Sequence, residues 1–196
     1  MEEGGGVTYG LTRLYAKVPL DRLGVLIGER GSVKRELERR TNTRITVDSE
    51  SGMVIIEPEA PNVPPINLLK ARDFILAISY GFNPERAFRV LEPEVQLIVI
   101  DLKEYVGDSP NHLTRVKGRI IGEKGKTRRI IEEITGVDIS IYENYIAIIG
   151  DYEESTIARE AIEMLIRGQQ HSTVYKFLER EMRKLRRKRA FKLWEG

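Results

Sequence analysis

Polar and apolar residues alternate along Arg44-Ile-Thr-Val-Asp48, and again along Asp138-Ile-Ser-Ile-Tyr142. That is the period of a half-buried strand. Each segment leads through a turn (Ser49–Gly52, or Glu143-Asn144) into an apolar strand, Met53–Ile56 or Tyr145–Ile149. Ahead of the first lies a charged helix from about Ser32 to Thr41, closed by Asn42 in the left-handed conformation. Gly136 does the same after Thr135 in the second copy. Leu14-Tyr-Ala-Lys-Val18 reads as a first strand stopped by Pro19, with Asp21 placed to cap a short helix through Leu23 and Leu26. Long helices follow the strands. One is opened by Pro64 and Pro65 and runs over Ile66–Tyr80, with Leu69, Phe74, Ile75 and Ile78 inward. The other follows a capping box, Asp151-Tyr-Glu-Glu154, and turns Ile157, Ala161, Met164 and Leu165 inward.

These elements belong to an internal repeat. Val25–Val47 and Arg119–Ile141, 94 residues apart, align without a gap and agree at 8 of 23 positions. A repeat of this size is one folded unit used twice. The order strand, helix, Gly loop, helix, strand, strand, helix predicts an α+β protein, each copy a three-stranded antiparallel sheet with three helices on one face. The expected organisation is a flexible N-terminus over 1–10, a first domain over 11–81 and an interdomain helix and linker over 82–94. A second domain covers 95–168, and a basic C-terminal helix and tail covers 169–196. The second copy carries extra residues, Lys103–Asn111, with Ser109-Pro110 as a helix start. The last helix is expected to reach about Lys188.

At the centre of each copy is a Gly-x-x-Gly loop, Gly28–Gly31 and Gly122–Gly125. Glycines let a backbone approach a phosphate without an intervening Cβ. The amide end of the following helix then faces the anion. The residue before the second glycine is basic in both copies, Arg30 and Lys124.

Composition narrows the chemistry. The chain is 41% hydrophobic and 32% charged with a net charge of +2, so a nucleic-acid surface must come from local clustering. Without cysteine there is no disulfide, thiol nucleophile or thiolate zinc site, and only His112 and His171 are available for imidazole chemistry. The acidic opening is unlike a signal peptide, and no apolar stretch reaches the length of a membrane span. A cytoplasmic protein without metal or cofactor is expected. Gly125-Lys-Thr127 mimics the end of a P-loop, but Ile120 stands where that motif needs glycine.

Ile-Gly-x-x-Gly followed ten residues later by Thr41-Asn42 or Thr135-Gly136 resembles the type I KH domain. The resemblance implies two grooves, each holding about four single-stranded nucleotides. Their floors would be Leu26, Ile27, Leu37, Ile45 and Val47, or Ile120, Ile121, Ile131, Ile139 and Ile141. Two features depart from the pattern. Lys34 and Arg128 stand where most KH domains have an apolar residue, and Glu29 and Glu123 lie inside the phosphate loops, where they are expected to point outward.

The second copy is more specific. His112-Leu113, Arg115, Gly118-Arg119-Ile120 and Gly125-Lys-Thr127 with Arg128 resemble the second KH domain of the partner-of-Nob-one family of small-subunit ribosome assembly factors. Gly81-Phe82, Ala87 and Ser172–Tyr175 fit the same family, over about residues 68–178, and the retained first Gly loop implies an archaeal form. The resemblance implies binding of single-stranded RNA at the 3′ end of small-subunit rRNA, beside a Nob-one-type endonuclease and other small-subunit assembly or initiation factors, without catalysis by this chain. The RNA-binding residues expected in the first domain are Gly28, Arg30, Gly31, Lys34 and Arg35. In the second they are Arg115, Lys117, Arg119, Ile120, Ile121, Gly122, Lys124, Gly125, Lys126, Arg128 and Arg129. The protein is expected to be a monomer. A general RNA-binding protein acting on messenger RNA or RNA decay, a nuclease and a protein adaptor remain the alternatives.

Overall fold

The structure, a computed structural model, describes residues 13–194, so the expected flexible residues 1–10 lie outside the described residues. The chain divides into two compact units between Ser79 and Tyr80. In the first, β1 (Leu14–Lys17), α1 (Leu20–Ile27), α2 (Ser32–Thr41), β2 (Thr43–Val47), β3 (Met53–Pro58) and α3 (Pro65–Ser79) follow one another. The second opens with α4 (Pro84–Ala87) and a 3₁₀ turn at Phe88–Leu91. It continues with β4 (Val95–Asp101), α5 (Leu102–Val106), α6 (Pro110–Ile121), α7 (Lys126–Thr135), β5 (Asp138–Tyr142), β6 (Tyr145–Asp151), α8 (Tyr152–Ile166) and α9 (His171–Trp194). The sheets are antiparallel with strand orders β1-β3-β2 and β4-β6-β5, so the strand formed last sits in the middle of each. No helix among the described residues is long and apolar enough to cross a membrane.

The α+β expectation holds in both copies. In the first, Ile45 pairs with Ile56 across the sheet, and Leu26, Leu37 and Phe74 meet that face fully buried. In the second, Ile139 pairs with Ile148, and Ile120, Ile131 and Ile162 cover them. The first half of α9 belongs to this second core through Val174, Phe177 and Leu178. The other face of the second sheet is covered as well, since Ala147 and Ile149 on β6 are fully buried. The segment before β4 lies there. A Cβ on Gly81 would sit 2.7 Å from the Ser140 hydroxyl, and Arg89 ion-pairs with Asp138 of β5.

One polar tie repeats with the fold. Glu38 of α2 accepts the Ile45 N–H at 2.7 Å, and Glu132 of α7 accepts the Ile139 N–H at 2.8 Å. Each carboxylate joins its helix to an edge strand. Glu132 also pairs with Arg86 at 3.1 Å, bringing α4 into the same contact.

Four local expectations are corrected. Asp21 lies in the first turn of α1, and the capping position belongs to Pro19. The Asp151–Glu154 capping box does not form, because Glu154 turns instead to Arg189 of α9 and is buried in that ion pair. Leu69 is 41% exposed and Leu68 and Ala71 take the inward positions of that turn, while Phe74, Ile75 and Ile78 are buried as expected. Finally, α9 runs on to Trp194, past Lys188, stapled to the start of α8 by Lys188–Glu153 and Arg189–Glu154.

Glu132→Ala strips the acceptor from a partly buried amide, which costs about 1–3 kcal/mol. Chemical denaturation is expected to show that loss; a change under about 0.5 kcal/mol, the size of an ordinary surface substitution, would mean the tie holds nothing.

Candidate RNA interface

The two Gly loops are built alike. Gly28 and Gly122 both adopt φ 73° and ψ 174°. Arg30 (φ 52°, ψ 29°) and Lys124 (φ 50°, ψ 30°) are left-handed, as are Gly31 (φ 78°) and Gly125 (φ 79°). A basic residue held left-handed is disfavoured by about 1–2 kcal/mol. Strain of this kind persists where function requires it, and here it recurs at the same loop position in two separate units. The glycines differ in their surroundings. A Cβ on Gly28 would lie 2.8 Å from the Val33 nitrogen, and one on Gly122 would lie 2.6 Å from the Thr127 nitrogen. At Gly125 a Cβ would meet nothing within 4 Å. The first glycine therefore serves helix packing in both copies, whereas the second stands in open space at Gly125 and lies against the Arg35 guanidinium, 3.1 Å from where its Cβ would be, at Gly31. Glu29 and Glu123 are both exposed.

Electrostatics separates the copies. From Leu20 to Glu38 four basic and four acidic side chains cancel, whereas from Pro110 to Glu132 seven basic side chains meet two acidic ones. In the first copy Lys34 pairs with Glu38 at 2.9 Å, and Arg35 donates to the Arg30 carbonyl at 2.6 Å. Arg39 and Arg40 converge on Glu36, whose carboxyl they hold down at about 2. Of the basic residues expected in that loop, only Arg30 is exposed without a side-chain partner among the described residues.

In the second copy Arg115, Lys124 and Lys126 are exposed and unpartnered among the described residues. Lys117 donates to the Glu143 carbonyl at 3.0 Å. Arg129 repeats the role of Arg35, donating to the Lys124 carbonyl at 3.1 Å and so fixing the loop's shape. The Arg128 Nε is buried with no hydrogen-bond partner, the nearest Glu132 oxygen being 3.7 Å away.

Two expected contacts serve the fold instead. Ile120 is fully buried and cannot touch a base, while Ile121 beside it is 38% exposed. Leu26, Leu37, Ile45, Ile131 and Ile139 are likewise core, leaving Ile27, Val47 and Ile141 half-buried at the surface. The Arg119 guanidinium donates to the carbonyls of Leu165 and Gln169 at the end of α8, and so closes that helix rather than facing solvent.

Comparison with known proteins agrees with this geometry. The profile of the second PNO1 KH domain, described as a eukaryotic type KH-domain (KH-domain type I), matches residues 96–183, and that of the KH domain matches residues 14–62. A KH domain-containing protein of Methanocaldococcus jannaschii is 46% identical over 179 residues, covering 91% of this chain and 78% of its own. The pre-rRNA-processing protein PNO1 of Saccharomyces cerevisiae is 32% identical over 72% of this chain, which spans 46% of the yeast protein. A protein of unknown function from Aeropyrum pernix superposes with a TM-score of 0.92 at 56% identity, over 95% of this chain and 99% of that one. The matching chain in the a/eIF2α–aDim2p–rRNA complex from Pyrococcus horikoshii gives 0.81 at 47% identity, over 88% and 94%. The chain belongs to the PNO1/Dim2 family.

In this PNO1/Dim2 member the second KH loop is braced from outside its own helix pair. The buried Thr127 hydroxyl receives a hydrogen bond from the Tyr175 hydroxyl of α9 at 3.2 Å, and the His171 Nε2 meets the Arg119 carbonyl at 2.9 Å. Val33 stands at the position of Thr127 in the first copy and has no hydroxyl to hold. Sequence reasoning noticed Thr127 only as part of a P-loop mimic and of the family pattern, and Ser172–Tyr175 only as a family mark. Their pairing joins positions 48 residues apart, and no local pattern announces it.

Gly125→Asp discriminates best. It places a carboxylate in open space at the phosphate position, and aspartate tolerates the left-handed region. RNA affinity is expected to fall at least tenfold, about 1.4 kcal/mol, with thermal stability lowered by only a few degrees. Unchanged affinity in a folded Gly125→Asp protein would contradict the loop assignment.

Proposed function

We propose that the protein holds single-stranded RNA from the 3′ end of small-subunit rRNA during pre-rRNA processing and ribosome assembly in the cytoplasm. The second KH groove is the main grip, and a Nob-one-type endonuclease is the partner that cuts the RNA so presented. The observation that carries this reading is the second loop: Gly125 stands in open space, Lys124 and Lys126 beside it and Arg115 on α6 are exposed and unpartnered among the described residues, and Ile121 next to the loop is exposed. That combination suits a phosphate backbone with its bases laid on an apolar wall. The pre-rRNA-processing name of the yeast relative and the rRNA in the Pyrococcus complex support the choice of ribosomal RNA. The first groove adds a weaker second contact. Tethering two weak sites raises affinity through effective concentration.

In this role the chain binds and positions RNA, and the chemistry belongs to the partner. Binding of a short RNA copied from the 3′ end of small-subunit rRNA, against a scrambled copy, tests the reading at two salt concentrations. The expected result is at least a tenfold preference that persists at the higher salt. Equal binding of both RNAs with a steep salt dependence would reduce the interaction to phosphate attraction alone and would favour a general RNA-binding protein.

A further inference from the structure

Helix α9 sorts its basic residues into two sets. Between Arg180 and Lys192 there are eight basic side chains and one acidic one, in a chain whose net charge is only +2. One set is committed to ion pairs within the fold: Lys184 with Glu181, Lys188 with Glu153, and Arg189 with Glu153 and Glu154. The other set faces away. Val174, Leu178, Met182 and Leu185 mark the buried stripe of the helix. At 3.6 residues per turn, Lys176, Arg180, Arg183, Arg187 and Trp194 fall within a sector of roughly 60° opposite that stripe. All five are exposed, Trp194 to 91%. Arg180 lies over the Phe177 ring and pairs with Glu181, but Lys176, Arg183 and Arg187 have no side-chain partner among the described residues.

We propose that this face of α9 is a second RNA contact, a track onto which single-stranded RNA runs as it leaves the groove at Gly122–Gly125. The inference rests on the reading of that groove as an RNA site, and adds the face of α9 turned away from the second core.

Three observations carry it. Repulsion among like charges disfavours a row of unpaired cations unless an anion meets it. The row also starts close to the loop. Tyr175, which bonds Thr127 at the start of α7, directly precedes Lys176, so the turn of α9 that opens the row is the turn that packs beside the loop, with Lys176 projecting about 100° round the helix from Tyr175. From Lys176 to Arg187 it extends about 16 Å at 1.5 Å per residue, the length of roughly five stacked nucleotides at 3.4 Å each. Lastly, the exposed indole of Trp194 on the same side offers a flat surface of the kind on which unpaired bases stack. An acidic peptide would be drawn to the charges but would not need the closeness to the loop or the ring.

The test uses the full chain, a four-nucleotide RNA from the rRNA 3′ end, and two twelve-nucleotide RNAs that extend it in the 5′ or the 3′ direction. Arg183→Ala with Arg187→Ala is compared with wild type and with Gly125→Asp, each checked by thermal unfolding. The double variant is expected to lose about tenfold in affinity for one of the extended RNAs. It should keep wild-type affinity for the four-nucleotide RNA. The salt slope on that extended RNA should fall by about 1.4, at roughly 0.7 per lost phosphate contact. Wild-type affinity of the double variant for both extended RNAs would overturn the track, as would equal weakening on the short RNA. Tighter binding of a polyglutamate peptide than of RNA to this face would overturn the choice of ligand. The groove reading fails separately: Gly125→Asp would then bind all three RNAs as wild type does, and RNA held by α9 under that outcome would not be a continuation from the loop.

Discussion

Four residues turn the chain between two helices at Gly28–Gly31, and four do so again at Gly122–Gly125, with no room for a side chain at the first of them. The next helix stands so close that a Cβ would lie 2.8 Å or 2.6 Å from its backbone nitrogen at Val33 or Thr127. Much follows from this close approach. It brings α2 back against α1, and α7 against α6, so that Leu26 with Leu37, and Ile120 with Ile131, seal the same side of each sheet. It also leaves the second glycine and its basic neighbour on the outside, in left-handed backbone, where an anion can approach. Packing of the fold and exposure of the site are two consequences of one turn.

The repeated design has been put to unequal use. In the first copy the cations near the loop are mostly bound within α2, to Glu36, to Glu38 or to the loop's own carbonyl. In the second, Arg115, Lys124 and Lys126 are exposed and unpartnered among the described residues, and α9 reaches over to hold Thr127 and the Arg119 carbonyl. A loop held in its binding shape loses less entropy on binding. Net charge and bracing therefore both support the proposal that the second groove is the main grip.

Features built from near neighbours were legible in the sequence. Alternation located β2 and β5, Asn42 and Gly136 marked two helix ends, and the Gly loops stood out because the repeat came with them. The connecting helix lies within the segment 82–94 where one was expected, with Asn83 as its cap and Pro84 in its first turn. What escaped depends on residues far apart in the chain. Glu154 belongs to a good local capping pattern, yet a guanidinium 35 residues away takes its carboxylate into a buried pair. Arg119 sits in a basic block that reads as RNA-facing, but two carbonyls at the end of α8 hold it. Helix α9 looked like a basic appendage because its charges outnumber its apolar residues, although Val174, Phe177 and Leu178 suffice to place it in the core.

The central claim is that the second Gly loop clamps an RNA backbone. Backbone amide shifts recorded by NMR during titration with a four-nucleotide RNA from the rRNA 3′ end test it directly. The account predicts the largest changes over residues 121–128 and along β5 near Ile141, with smaller ones over 28–34. Changes confined to the C-terminal half of α9, with the amides of Gly122–Arg128 unmoved, would contradict it.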